Sequence, residues 1–249
     1  MIARLESAFK RQKEFTGDAS HELRAPLAII QAEATLALQK DRNSQAYRNS
    51  LEMISQGAYN MAGVINQLLT LARADSGKER LKFEALDLSE LLDELCADAE
   101  ILCQDKGLDL YHGGFEKMIV KGDKRSLRNL MHNLFSNAIR YTGRGGSVSV
   151  ALKEENRMAV VSVMDTGMGI PADLVPLIFE RFYRVDKARS RSEGGSGLGL
   201  AICRHIAAVH GGRIDVDSQV NKGSRFNVRL PLYRFSDADG AVRISSRHV

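Results

Sequence analysis

The sequence offers no membrane span: no run of about 18 or more apolar residues exists, and residues 1 to 20 are too charged for a signal peptide. The chain as it stands is therefore expected to be soluble, with no membrane contact of its own. Cysteine is scarce. Cys96, Cys103 and Cys203 are odd in number and lack CxxC spacing, which argues against a disulfide framework or a zinc site. Cys96 and Cys103, seven apart, share a helical face and read as buried packing. A charge excess is also missing: 35 lysines and arginines against 31 acidic residues leave +4, with no long block of one sign. No nucleic-acid partner is expected. Internal repeats and low-complexity segments are absent as well.

What is present is a strong heptad pattern in a chain of 249 residues, longer than one typical domain of about 100 to 200, so two domains are expected. From Ile2 through Leu5, Phe9, Gln12, Thr16, Ala19, Leu23, Pro26 and Ile30 the spacing alternates three and four, with Gln12 and Thr16 as weak members. The pattern returns more cleanly at Tyr47, Leu51, Ile54, Ala58, Met61, Ile65, Leu68 and Ala72. Lys40 to Ser44 reads as a turn, so residues 1 to 77 are expected to form an antiparallel helical hairpin. Two helices bury too little apolar surface to stand alone. A homodimer through residues 1 to 77, a four-helix bundle, follows as an expectation.

Around Asp75 to Lys78 the heptads stop, which places a linker at 78 to 86, a second domain at 87 to 235 and a polar tail at 236 to 249, with fraying after Pro231. Asp87 followed by Glu90 resembles a capping box opening an apolar helix through Leu91, Leu95, Ala99 and Leu102. Further helices fit residues 123 to 141 and 197 to 210. Alternation at Val148, Val150 and Leu152, at Ile214 and Val216, and at Phe226, Val228 and Leu230 predicts half-buried strands, while Ala159 to Val163 is more continuously apolar. The fold class expected is an α/β sandwich, with helices covering one face of a sheet.

Four features of this second domain suit a phosphate-bearing ligand. Asn133, Asn137, Arg140 and Tyr141 form one helical stripe of amides, a cation and a phenol. An amide oxygen there can serve Mg²⁺, or both amides can simply face solvent. Asp165, Thr166, Gly167, Met168 and Gly169 follow a strong strand, so the carboxylate can accept from an adenine amino group while bare backbone admits the base, or the segment is an ordinary turn. Gly194 to Leu200 lead into a helix, where free N–H groups and the helix dipole favour phosphate. The loop fits neither the Walker pattern nor GxGxxG. Between the glycine motifs, the aromatic and basic run Phe179 to Arg184 and the polar stretch Asp186 to Ser192 suit a lid.

In this order and spacing, residues 87 to 232 resemble the Bergerat-type ATP-binding domain shared by sensor histidine kinases, gyrase and related chaperones. The segment FTGDASHELRAPLA, Phe15 to Ala28, resembles the phosphoacceptor box of sensor histidine kinases specifically. The resemblance implies Mg²⁺ at Asn133 and Asn137, adenine at Asp165 with Gly167 and Gly169, an F box at Phe179 and Phe182, and ATP phosphates at Gly195, Gly197, Leu198 and Gly199. Arg140, Tyr141 and Arg184 are further nucleotide-binding candidates. In gyrase and the chaperones a glutamate four residues before the metal-binding Asn activates water; here that position is Asn133, which disfavours plain ATP hydrolysis. A nucleotide-binding scaffold without activity is the other alternative, disfavoured by the intact Asn137, Asp165 and glycine motifs.

His21 points roughly 120° to 160° away from Thr16, Ala19, Leu23 and Leu27, off the seam and into solvent. A neutral imidazole, with a pKa near 6.5, is a competent nucleophile without a strong base, and adjacent Glu22 is placed to orient it and take its proton. Pro26 removes a backbone donor and is expected to loosen the helix near His21. The resemblance makes His21 the phosphoacceptor and an aspartate on a response-regulator receiver the next acceptor. Many members carry Thr or Asn four residues after the histidine to position a water; Ala25 stands here, so weak phosphatase activity is expected. The heptads already run at the first residues, and a cytoplasmic location within a larger sensor anchored in the bacterial inner membrane is expected.

Overall fold

Two long helices and then a mixed α/β segment make up the computed structural model, which describes residues 2–39, 41–77, 79, 81–185 and 195–233, with side chains from residue 16. The chain divides into two compact units, Met1–Glu79 with Phe179–Ile202 and Arg80–Ile178 with Cys203–Val249. Residues 179–202, within the span expected for the second domain, group with the first of these units.

In the hairpin, α1 (Ile2–Gln39) stays helical through Pro26, which is buried and has no N–H to leave unpaired. Against it runs α2 (Ser44–Asp75), capped by Asn43, whose Oδ1 accepts from Ala46 N at 2.8 Å. The helices pack tightly at Gly57, where a Cβ would meet Ile30 Cγ1 at 2.9 Å and the Pro26 carbonyl at 3.4 Å. Of the expected α2 seam, Tyr47, Ile54, Met61 and Leu68 are half-buried, while Leu51, Ala58, Ile65 and Ala72 are exposed. The row three residues beyond Tyr47 is covered instead, at Ser50, Gly57, Val64 and Leu71. In α1, Ala19, Leu23, Pro26 and Ile30 are at least half-buried as the spacing predicts, and Thr16 is exposed. The seam positions before Thr16, and Lys40 of the turn, lie outside the described side chains.

The second unit is built from β1 (Glu84–Asp87), α3 (Leu88–Lys106), β2 (Asp109–His112), β3 (Ile119–Gly122), α4 (Lys124–Tyr141), β4 (Ser147–Glu155), β5 (Met158–Asp165), α5 (Gly199–Val209, from Cys203 onward), β6 (Arg213–Gln219) and β7 (Gly223–Pro231). A five-stranded sheet has the order β2-β4-β5-β7-β6, with β2 and β4 parallel and the other pairs antiparallel. β1 and β3 make a separate antiparallel pair. Inward residues of the strands, such as Val150, Val161, Val163 and Val228, form the core with Leu92, Leu127, Leu130, Leu134 and Ile206 of the helices.

Four expectations need correction. Residues 84–86 of the expected linker belong to β1. β2 and β3 have no counterpart in the apolar alternation; β2 is a four-residue edge strand whose side chains are mostly exposed. Leu102 is 52% exposed, because Ala99 and Cys103 take the inward positions of the last α3 turns. The chain also stays paired past Pro231: Leu232 bridges Val120 and Tyr233 N donates to the Ile119 carbonyl at 2.8 Å. The expected tail, 236–249, lies outside the described residues, which end at 233.

Capping carries the helices into register. Asp87 Oδ1 accepts from Ser89 N at 3.0 Å and Ser89 Oγ at 2.7 Å; burial pushes its carboxyl up, but these bonds and Lys117 outweigh that and hold it below the ordinary aspartate value. Asp123 caps α4 through Ser126 N at 2.8 Å and also accepts from Lys82 N at 2.9 Å. The Asp123 N–H in turn donates to Nε2 of buried His210 at 3.0 Å, while Nδ1 of that ring meets the Ile206 carbonyl at 2.7 Å. A carbonyl only accepts, so His210 is the neutral tautomer with its proton on Nδ1. Among the described residues no helix is long and apolar enough to cross a membrane.

Candidate active site

On α4, Leu127, Leu130, Met131, Leu134, Phe135 and Ala138 go into the core, which leaves Asn133, Asn137, Arg140 and Tyr141 half-buried at its margin. Asn133 uses its amide nitrogen on Asn129, at 2.8 Å to the carbonyl and 3.0 Å to Oδ1. Its own side-chain oxygen is thereby turned to acceptor duty elsewhere. The Asn137 side chain makes no hydrogen bond among the described residues, a half-buried amide in want of a partner.

Asp165 ends β5 at 6% exposure. Burial pushes its carboxyl above the ordinary value, against the pull of the N–H groups of Gly167 and Ser224. Oδ1 accepts from Gly167 N at 2.8 Å, which still leaves lone pairs for a ligand donor. The two glycines that follow answer to the protein itself. A Cβ on Gly167 would lie 2.4 Å from the Tyr141 carbonyl, and Gly169, at φ +67°, would strike the Gln219 carbonyl at 2.0 Å. Close packing onto α4 and onto the β6–β7 turn demands glycine at both positions. The turn is further tied by Ile170 N to Ser218 Oγ and Asn221 N to the Met168 carbonyl, both 2.8 Å.

The hairpin unit holds the other candidates. Phe179 is buried, and Phe182, at φ +59°, donates its N–H to the Gly197 carbonyl at 3.0 Å. Gly197 must be glycine there: φ is +70° and a Cβ would meet Phe182 Cα at 2.8 Å. The F motif and the glycine loop are therefore one backbone construction. Ser196 Oγ accepts from Leu198 N at 3.2 Å and donates to Gln67 Oε1 at 2.6 Å. Leu198 is fully buried, and Gly195 to Leu198 run into the N-terminus of α5 at Gly199, where helix N–H groups lack intrahelical acceptors. Gly194 and the expected lid, Asp186 to Ser192, lie outside the described residues.

Arg181 grips Asp75 with both terminal nitrogens, at 2.7 and 2.6 Å, and the hydrogen bonds to Asp75 outweigh partial burial to raise its pKa further. Arg184 is only 11% exposed, with Nη1 3.7 Å from the Glu22 carboxylate. Its Nε and Nη2 are buried without a partner among the described residues. His21 is exposed, and Arg24 Nη1 lies 3.4 Å from its Nδ1. Glu22 thus faces Arg184, while the described contact on the imidazole comes from a cation that can only donate.

One unit accordingly brings together Asn133, Asn137, Arg140, Tyr141, Asp165, Gly167 and Gly169; the other holds His21, Glu22, Arg184, Gly195, Gly197, Leu198 and Gly199. Sequence reasoning does not single out Arg24, Gln67 or Asp75. Arg24 is three residues from His21 on a helix, a spacing that could have flagged it; Gln67 and Asp75 meet residues more than a hundred positions away and leave no local signal.

Two family models match. Residues 11–77 match the His Kinase A (phospho-acceptor) domain, and residues 122–234 match the histidine kinase-, DNA gyrase B- and HSP90-like ATPase. The sensor protein IrlS of Burkholderia pseudomallei is 34% identical over 233 residues, 94% of this chain and 50% of that protein. The catalytic domain of histidine kinase ThkA is 30% identical with a TM-score of 0.53, covering 60% of this chain and 95% of that one. Histidine kinase ThkA in complex with the response regulator protein TrrA shares the fold at a TM-score of 0.72 and 24% identity, over 92% of this chain and 64% of that one. The chain spans about half the length of the curated relatives it matches.

Proposed function

The chain belongs to the sensor histidine kinase family, and from that premise we propose that it is an ATP-dependent protein-histidine kinase that phosphorylates its own His21 and passes the group to an aspartate of a response-regulator receiver. The reading rests above all on the exposed imidazole of His21 in the same unit as Arg184, whose two buried, unpaired guanidinium nitrogens are donors in search of an anion. ATP phosphates on the Gly195 to Gly199 loop would provide that anion, with Leu198 N–H among the donors. Adenine would give its amino hydrogen to the Asp165 carboxylate, with Arg140 and Tyr141 at the margin of the same pocket.

Asn133 and Asn137 fit Mg²⁺. The first has its amide nitrogen engaged and its oxygen left over, and the second is half-buried with no side-chain hydrogen bond among the described residues. The ion, when bound, would neutralise charge on the phosphates. A lone pair of the His21 imidazole then attacks the γ-phosphorus, the N–P bond forms, the bond to the bridging oxygen breaks, and ADP leaves with that electron pair. The remaining ring proton passes to Glu22. For this, Glu22 has to leave Arg184 and Arg24 has to swing off the ring, so the arrangement seen is a resting one.

The uncovered row Leu51, Ala58, Ile65 and Ala72, with Leu27 and Leu36 of α1, is the apolar surface a second copy would cover in a homodimeric bundle. A receiver aspartate would dock near His21 on the hairpin, a partner of the kind ThkA meets in TrrA. The domain limits proposed are 1–77 for dimerisation and phosphoacceptance and 87–235 for nucleotide binding. A cytoplasmic position, within a larger sensor held at the bacterial inner membrane, suits this role.

Incubation with γ-labelled ATP and Mg²⁺ tests the reading: label on the protein should be acid-labile, alkali-stable and absent from His21→Gln. Free phosphate without protein label would identify an ATPase instead. Ala25 carries no hydroxyl or amide to hold a water, so dephosphorylation of the cognate receiver should be weak and should rise in Ala25→Thr. Rapid dephosphorylation in the presence of ADP, indifferent to that substitution, would refute the second point.

A further inference from the structure

The last four carbonyls of an α-helix have no partner within it, and in α4 each of them is taken by a donor from outside the helix. Thr142 Oγ1 donates to the Ala138 carbonyl at 2.7 Å. Met168 N, from the turn after Asp165, lies 3.3 Å from the Tyr141 carbonyl. The two between them, Ile139 and Arg140, both accept from the ammonium of Lys106, each at 2.7 Å. A lysine in the last turn of a helix ordinarily serves its own helix end. Lys106 closes α3, yet Gly107 in the left-handed region (φ +71°) ends that helix with its own N–H, and the lysine reaches across to α4.

This helix end, which also carries Arg140, is where Tyr141 meets the turn after Asp165. The Tyr141 carbonyl is the surface on which Gly167 packs so closely that a Cβ would lie 2.4 Å away. Without Lys106, two part-buried carbonyls lose their charged donor, and the last turn of α4 is free to unwind from the Gly167 backbone. Asn133, two turns earlier and bonded to Asn129, would be little affected.

We infer that Lys106 is a positioning residue for the adenine side of the nucleotide site: its ammonium fixes the last turn of α4, and so the placement of Arg140 and Tyr141 against the Asp165 turn. The inference rests on the kinase reading above. It assigns Lys106 an effect on nucleotide affinity and none on the transfer step, because His21 and the phosphate-loop glycines are not attached to this helix end.

The test uses the full chain and compares wild type, Lys106→Met, Lys106→Arg and the exposed-lysine control Lys153→Met in two measurements: ATP binding by calorimetry, and initial rates of His21 labelling over a range of ATP. In Lys106→Met the KM and Kd for ATP should rise about tenfold, as expected for loss of charged hydrogen bonds, with kcat held within about twofold. Lys106→Arg should recover most of the affinity, and Lys153→Met should match wild type. A variant with unchanged KM, or with lower kcat at unchanged KM, would overturn the inference, since mere loss of folded protein lowers the active fraction alone. Lys106→Gln is the second variant; if it and Lys106→Met both fail to fold, Lys106 holds the fold rather than the site and the inference is overturned. A wild type that binds no ATP sinks the kinase reading itself, whereas wild type and Lys106→Met binding equally well sinks this inference alone.

Discussion

Over its 32 residues α2 buries only Ser50, Gly57 and Leu71, whereas α4, 18 residues long, buries seven apolar side chains from Leu127 to Ile139. The difference is not one of composition. Leu51, Tyr59 and Leu69 in α2 are apolar or aromatic and 64%, 77% and 46% exposed. A helix with a sheet and other helices around it finishes its core within one chain; a helix in a two-helix hairpin finishes only one side of it. Exposed rows of that size ordinarily mark an interface. The sheet unit completes its core within one chain, and the hairpin leaves an apolar row uncovered.

That contrast can be broken by substitution. Leu130, fully buried under the sheet, should cost about 2 to 5 kcal/mol when cut to alanine, with a denaturation midpoint that ignores protein concentration. A loss below about 1 kcal/mol would mean the core is less complete than its burial implies. Leu51→Ala with Ile65→Ala should cost about 1 to 3 kcal/mol if a second copy covers both, and the midpoint should fall further on dilution. Sedimentation should show a weaker dimer; an unaltered monomer–dimer balance would place the partner surface elsewhere.

The smallest effect concerns a cap. Asp123→Ala should cost about 1 kcal/mol at neutral pH. In the folded chain burial pushes the Asp123 carboxyl up, but hydrogen bonds from Lys82 and Ser126 outweigh it and hold the pKa below 3.8. A depressed folded value means the contribution is complete above 3.8 and is lost as the pH falls through the folded pKa. Wild type and variant should therefore converge in acid, as followed by urea denaturation across pH. A gap that stays constant below 3.8 would contradict the cap.

Much of this was legible in local pattern. The heptads found the hairpin, the apolar alternation found β4, β6 and β7, the continuous apolar run Ala159 to Val163 found β5, and Asp87 and Asp123 sit at helix starts as their side chains prescribe. Periodicity failed where depth depends on distant neighbours. Leu51 and Tyr47 read alike in sequence, and only the placement of α1 makes one row inner and the other outer. Short edge strands such as β2 carry no alternation to read. The site residues were named by motif order, yet the reason for the glycines was not visible: Gly167, Gly169 and Gly197 each answer to a backbone brought in from elsewhere. Lys106 escaped for the same reason, since its acceptors lie 33 and 34 positions along the chain.

All three cysteines are buried and unbonded. Burial pushes the Cys96 thiol up to about 12, raises Cys103 as well, and drives Cys203 higher still. Since the thiolate is the reactive form, the surface of this protein is blank to thiol reagents. A single cysteine introduced on the exposed face of α2 would be the only fast-labelling position, so one spin label or fluorophore there could report the distance between two copies without first removing the native thiols.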